Sequence, residues 1–144
     1  MNKPHTLART EPPHQASGNA ALVYFVADAH LGAEDPSIEL LKEREFCDLL
    51  DSLCSKASAL YLVGDIFDFW FEYSTVAPHR NFRTLEALSC LTASGTRVVF
   101  LGGNHDYWAG DVFAGMTGAE VSRGPVVETH FDRRLFIAHG DGLP

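Results

Sequence analysis

The apolar run Leu60-Tyr61-Leu62-Val63 stops at Gly64-Asp65, and that stop constrains what the rest of the chain can be. Four apolar residues bounded by glycine suit a strand buried on both faces, and such strands belong to parallel sheets with helices packed over them. Open α/β sheets hold their ligands just beyond the carboxyl ends of the strands, so Asp65 is expected where chemistry is done. The arrangement recurs along the chain. Val23-Tyr24-Phe25-Val26-Ala27 runs into Asp28-Ala29-His30, Val98-Val99-Phe100-Leu101 into Gly102-Gly103-Asn104-His105-Asp106, and Leu135-Phe136-Ile137-Ala138 into His139-Gly140-Asp141. A single aspartate after a strand is most often a turn former or a helix cap. Four strand ends carrying Asp, His and Asn point instead to ligands that converge on divalent metal.

The segments between these strands read as helices. Asp35-Pro36 predicts an N-cap followed by proline at the first helical position. Ile38, Leu41, Phe46, Leu49, Leu50, Leu53 and Cys54 then recur at helical spacing and predict a stripe facing a sheet. Phe82, Leu85, Leu88 and Leu91 predict a second helix closed by Gly95, with a strand over residues 97–101. Trp108, Val112, Phe113 and Met116 predict a short helix ended by Gly118, and residues 126–131 and 134–138 a β-hairpin turning at Asp132-Arg133. Residues 1–19, with Pro4, Pro12, Pro13, Ser17 and Gly18 and no hydrophobic period, predict a disordered tail in which His5 and His14 are solvated bystanders. One domain is expected over residues 20–144.

Bulk properties narrow the function. The 144 residues, 46% hydrophobic and 21% charged, are those of a globular domain with a real core. A formal charge of −8 argues against nucleic acid as a partner, because Lys and Arg drive that binding. Cys47, Cys54 and Cys90 lack zinc-knuckle or disulfide-framework spacing and are expected as buried thiols in a reducing compartment. The apolar run over residues 20–27 is too short to span a membrane and lacks the layout of a secretion signal, so the cytoplasm is the expected location.

Asp28, His30, Asp65, Asn104 and His139 are the candidate metal ligands. Asp28 and His30 are two apart, so in an extended segment they would point the same way, and a carboxylate such as Asp65 can bridge two ions. Two such ions make a nucleophile from water at neutral pH and offset the charge of a phosphate, which lets an acidic protein accept an anionic substrate. Asn104 and His105 are the expected substrate-facing pair, with His105 donating a hydrogen bond or proton and Asp106 orienting its ring. Asp68 and Asp106 are each read either as a support to the ligands or as a local cap. The aromatic cluster Phe67, Phe69, Trp70, Phe71 and Tyr73 is expected mainly in the core, and His79, His130, Arg80, Arg83, Arg133 and Arg134 at the surface.

The ordered motifs Asp-Ala-His, Gly-Asp-Ile-Phe-Asp, Gly-Asn-His-Asp and Ala-His-Gly-Asp resemble those of the calcineurin-like metallophosphoesterase family over residues 21–144. Within it, the stretch from Gly64 to Tyr73 and His139-Gly140-Asp141-Gly142 resemble the UDP-2,3-diacylglucosamine diphosphatases of lipid A synthesis. The resemblance implies an α/β sandwich of α-β-β-α layers, present in its N-terminal part. It implies that Asp28, His30 and Asp65 hold one ion, that Asp65, Asn104 and His139 hold the second, and that both are manganese. It further implies hydrolysis of the lipid nucleotide to UMP and 2,3-diacylglucosamine 1-phosphate, by a protein peripheral to the cytoplasmic face of the inner membrane, where some of the surface arginines could face anionic lipid. The best-known branch has arginine where His105 stands, whereas histidine matches the wider family and a divergent branch. The family's closing Gly-His-x-His motif, one histidine for each ion, and the helical insert for the acyl chains have no counterpart before Pro144, so weak metal binding and slow turnover are expected. Another phosphodiesterase or nuclease of the same family, or a non-catalytic scaffold, remains open on the motifs alone.

Overall fold

In the computed structural model, residues 22–73 and 80–141 are described. The expected tail over residues 1–19 and the surface position of His79 lie outside them. The order of elements is β1 (Leu22–Val26), α1 (Pro36–Leu53), β2 (Ala57–Val63), α2 (Phe82–Ala93), β3 (Arg97–Leu101), α3 (Asp111–Thr117), β4 (Glu120–Ser122), β5 (Val126–His130) and β6 (Arg133–Ile137). Strands β1 to β4 form one parallel sheet in chain order, and β5 and β6 form an antiparallel hairpin.

Alternation along the central strands assigns the layers. Leu60 and Leu62 of β2 and Val98 and Phe100 of β3 pack with Phe46, Leu50, Leu85, Leu88, Leu91 and Phe113 of the helices. The intervening Ala59, Tyr61, Val99 and Leu101 pack with Val126, Leu135 and Ile137 of the hairpin. The described residues therefore build three successive layers of the expected sandwich: helices, parallel sheet and second sheet. Among them, no helix is long and apolar enough to cross a membrane.

Helix α1 buries a narrower face than its apolar residues predict. Phe46, Leu50 and Leu53 are buried, while Ile38, Leu41 and Leu49 are 51%, 54% and 37% exposed. Positions 46, 50 and 53 define the inward stripe, and its continuation toward the N-terminus falls on Glu39, Lys42 and Glu43. The aromatic segment also divides: Phe67 and Trp70 are fully buried beside Phe100 and Phe113, whereas Phe69, Phe71 and Tyr73 are exposed. Glu72, which carried no sequence signal, accepts from Trp70 Nε1 at 3.1 Å and from the amides of Val112 and Phe113 at 3.0 Å each, fixing the start of α3.

The thiols are less buried than expected. All three are free, Cys47 and Cys54 half-buried and Cys90 exposed. Burial pushes the Cys47 thiol above its ordinary range, which makes it a poor nucleophile. In the hairpin the turn is Phe131-Asp132 rather than Asp132-Arg133. Both turn residues have positive φ, 52° and 62°, as a two-residue type I′ connection requires, and Arg133 pairs with His130. Below the hairpin, the buried Tyr61 hydroxyl bonds His130 Nε2 at 2.7 Å, and Arg97 bridges Glu120 at 2.7 Å and Glu128 at 3.0 Å.

Two outcomes follow from this packing. Leu50→Ala should cost about 2–5 kcal/mol in urea unfolding, and Leu41→Ala no more than about 0.5 kcal/mol. The Arg97 guanidinium holds the Glu120 carboxyl below its usual range. A depressed folded pKa contributes stability that is complete above the unfolded carboxylate range, near pH ~4.3, and is lost as pH falls through the folded value. Because Glu120 is more than half exposed, that contribution is at most about 1 kcal/mol. Unfolding of wild type and Glu120→Gln at pH 7 and pH 3 should show the difference shrinking at the lower pH.

Candidate metal centre

The site forms where β1 and β2 stop pairing as strands and continue as adjacent loops. Asp28 N donates to Gly64 O at 3.1 Å, His30 N to Asp65 O at 2.9 Å and Leu31 N to Ile66 O at 2.9 Å. The two loops thus run side by side past the sheet edge, with Asp28 and His30 on one and Asp65 on the other. Their backbones are not extended: φ is 56° at Asp28, 45° at His30 and 52° at Asp65. Three non-glycine residues in the left-handed region cost of order 1–3 kcal/mol each and cluster where surrounding structure over-determines them. The expectation that an extended segment aims Asp28 and His30 the same way is therefore corrected. Each is aimed by its own turn, and both come within reach of Asp65.

Asp106 makes these turns possible. Its fully buried carboxylate accepts from Asp65 N at 3.1 Å, Ile66 N at 2.8 Å, Phe67 N at 3.1 Å and Gly103 N at 2.8 Å, tying the loop after β2 to the loop after β3. Asp106 therefore does not orient the His105 ring. That part falls to Asp68, whose carbonyl oxygen lies 2.7 Å from His105 Nδ1 and whose carboxylate lies 3.4 Å away. A carbonyl can only accept, so Nδ1 carries the proton and Nε2 is left for the cleft. The same bond, reinforced by the carboxylates of Asp65, Asp68 and Asp106, holds the His105 imidazole above its ordinary range. The loops approach so closely that a Cβ at Gly103 would collide with the Asp65 carboxylate and one at Gly64 with the His139 ring.

Two groups of ligand atoms converge, each within 4.8 Å: Asp28, Asp65 and His139, and His30, Asp65 and His105. Asp65 is common to both and is only 4% exposed. Its Oδ1 accepts from His105 N at 3.0 Å, while Oδ2 faces His139 Nε2 at 3.4 Å and His30 Nε2 at 3.7 Å. The last two separations are long for hydrogen bonds. They suit ligands of a shared cation, which stand about 3 Å apart when bonds of about 2.1 Å meet at a right angle. His139 Nδ1 is 2.9 Å from Val63 O, the backbone anchor that metal-ligating histidines commonly keep on their other nitrogen. By donor type and convergence, these residues fit a pair of divalent ions.

The structure thus brings together Asp28, His30, Asp65, His105 and His139. Asn104 is exposed in the loop between Gly103 and His105, whose amides bind Asp106 and Asp65. Among the described residues, no buried side-chain polar atom lacks a hydrogen-bond partner. Asp68 and Asp106 were legible as supports but not the partners each holds, and Glu72 carried no sequence signal. Asp106→Ala should cost at least ~3 kcal/mol in urea unfolding, because it strands four buried amides at roughly 1–3 kcal/mol each.

No protein-family model matches the chain. Its sequence is 34% identical over 119 residues to a UDP-2,3-diacylglucosamine hydrolase of Porphyromonas gingivalis, covering 83% of this chain and 45% of that protein. Proteins of the same name match at 31% in Haemophilus influenzae and 32% in Pseudomonas fluorescens, covering 83% and 85% of this chain and 48% and 47% of those proteins. The chain spans about half the length of the curated relatives it matches. The crystal structure of a protein of unknown function, AQ665 from Aquifex aeolicus, superposes with a TM-score of 0.52 at 20% identity, covering 83% of this chain and 60% of that one, and shows the shared fold. The chain is accordingly metallophosphoesterase-like in fold and, over most of its own length, similar in sequence to the UDP-2,3-diacylglucosamine hydrolases.

Proposed function

We propose that this chain carries the metal-binding part of a phosphoesterase that hydrolyses the diphosphate of UDP-2,3-diacylglucosamine, giving UMP and 2,3-diacylglucosamine 1-phosphate. The observation that carries the reading is Asp65, one buried carboxylate shared by two Asp/His groups at the ends of parallel strands. Similarity to hydrolases named for that substrate supplies the substrate class.

In this reading Asp28, Asp65 and His139 hold one divalent ion and His30 and Asp65 the other, with Asn104 at the rim completing the set. Manganese is the proposed metal. Bound there, the ions supply a nucleophilic oxygen at neutral pH and offset phosphate charge. The protein's own groups do the rest. The Asp106 clamp keeps Asp65 aimed between the two groups, and the Val63 and Asp68 carbonyls fix the ring orientations of His139 and His105. His105, raised toward its protonated form, presents Nε2 to the phosphate as charge accumulates on its oxygens. Water oxygen becomes bonded to phosphorus, the diphosphate P–O bond breaks, and the two monophosphates leave.

The exposed rings of Phe69, Phe71, Tyr73, Tyr107 and Trp108 lie in the segments that carry Asp68 and His105. They offer an apolar rim suited to the acyl half of the substrate and to peripheral contact with the cytoplasmic face of an inner membrane. Incubation of the chain completed to the length of its relatives with UDP-2,3-diacylglucosamine should release UMP only when Mn2+ is present. Asp65→Asn should lower the rate by at least ~100-fold, beyond the 10–100-fold typical of an outer partner. Metal uptake without UMP release would remove the substrate assignment.

A further inference from the structure

The inward stripe of α1 changes character as it nears the site. Its second half buries Phe46, Leu50 and Leu53, and the same face one and two turns earlier carries Glu39, Lys42 and Glu43. These are positions that a plain core would fill with apolar side chains. All three are half-buried and all three are bonded to other elements. Lys42 Nζ donates to the carbonyl oxygen of His30 at 2.6 Å. Glu39 Oε1 accepts from Gly32 N at 2.6 Å, and its Oε2 from Glu34 N at 3.2 Å. Glu43 accepts from the Thr84 hydroxyl at 3.4 Å, bracing α1 against α2.

An exposed i,i+3 pair on a helix contributes little and positions nothing. The Lys42–Glu39 pair differs in that both side chains are mostly covered, 28% and 19% exposed, and both spend their strongest bonds on the loop that carries His30. Those bonds are short and charge-assisted, about twice the strength of neutral ones. They act where the backbone needs holding, since His30 sits at φ 45°. The Asp65 carbonyl takes the His30 N–H on one side, and the Lys42 ammonium takes the His30 carbonyl on the other.

We propose that Lys42, supported by Glu39, is a positioning residue for the candidate centre. Lys42 through the His30 carbonyl, and Glu39 through the Gly32 amide, hold the His30 ring toward Asp65 and so set the affinity of the ion on the His30 side. The inference rests on the metal-dependent reading above.

The test is Mn2+ titration of the full chain by calorimetry, with amide exchange of the metal-free chain beside it. Lys42→Met should weaken one binding event by about 10-fold or more, within the range for residues that act through a ligand, and leave the other within about 2-fold. Lys42→Arg, which keeps the charge and the donor, should restore most of the loss. In the metal-free Lys42→Met chain the amides of Gly32 and Ala33 should exchange faster, while those of Leu60 and Leu62 keep their protection. Two unchanged binding events, two events weakened alike, or faster exchange throughout would overturn the proposal, the latter two showing only general loosening. A wild-type chain that takes up no Mn2+ would remove the metal-centre reading instead. Exchange at Gly32 and Ala33 would then still decide whether Lys42 holds the loop, and unchanged exchange would refute it.

Discussion

The buried carboxylate of Asp106 is the interaction on which the rest of this structure depends. Loops that leave a sheet in left-handed turns expose amides that the ladder no longer satisfies, and a buried amide without a partner is costly. Asp106 answers four such amides with two oxygens. In doing so it joins the β2 and β3 loops and fixes the direction of Asp65. The two close glycine approaches are part of the same solution. Side chains at Gly64 or Gly103 would push His139 or Asp65 out of the position the clamp defines.

Much of the fold was legible because its parallel strands are nearly continuous apolar runs that end in turn chemistry. The helix over Leu85, Leu88 and Leu91 was legible because period and burial coincide there, although Phe82 at its start is exposed. Helix α1 was read on the wrong face in its first half. Ile38 and Leu41 supplied an apolar signal on its outer side, while Glu39 and Lys42 occupied the inner one to serve a loop. Strand β4 is three residues long and carries no alternation to detect. The hairpin turn was placed one residue late because Phe131-Asp132 lacks the Asn-Gly signature of its class.

Of the site, the residue types and their order were legible, because each motif sits at a strand end. The pairing among them was not. Spacing placed Asp28 beside His30, yet around the shared Asp65 the fold groups Asp28 with His139 and His30 with His105. Backbone turns of positive φ, which aspartate and histidine only occasionally adopt, redirect the side chains. The division of labour between Asp68 and Asp106 was equally hidden. Both close a motif, but one uses its backbone carbonyl to orient a ring and the other its carboxylate to hold a backbone. Only the three-dimensional partners separate the two uses.

His139 comes from the second sheet, while Asp28 and Asp65 come from the first. A sheet of two strands has a register that is fixed by its turn and by which face is apolar. Sliding β6 by a single residue would rotate Leu135 and Ile137 to solvent and turn His139 away from Asp65 at once. Correct threading of the hairpin is therefore also what brings His139 to Asp65, so a slipped hairpin would leave the Asp28 group without its imidazole while the group of His30, Asp65 and His105 stays in place.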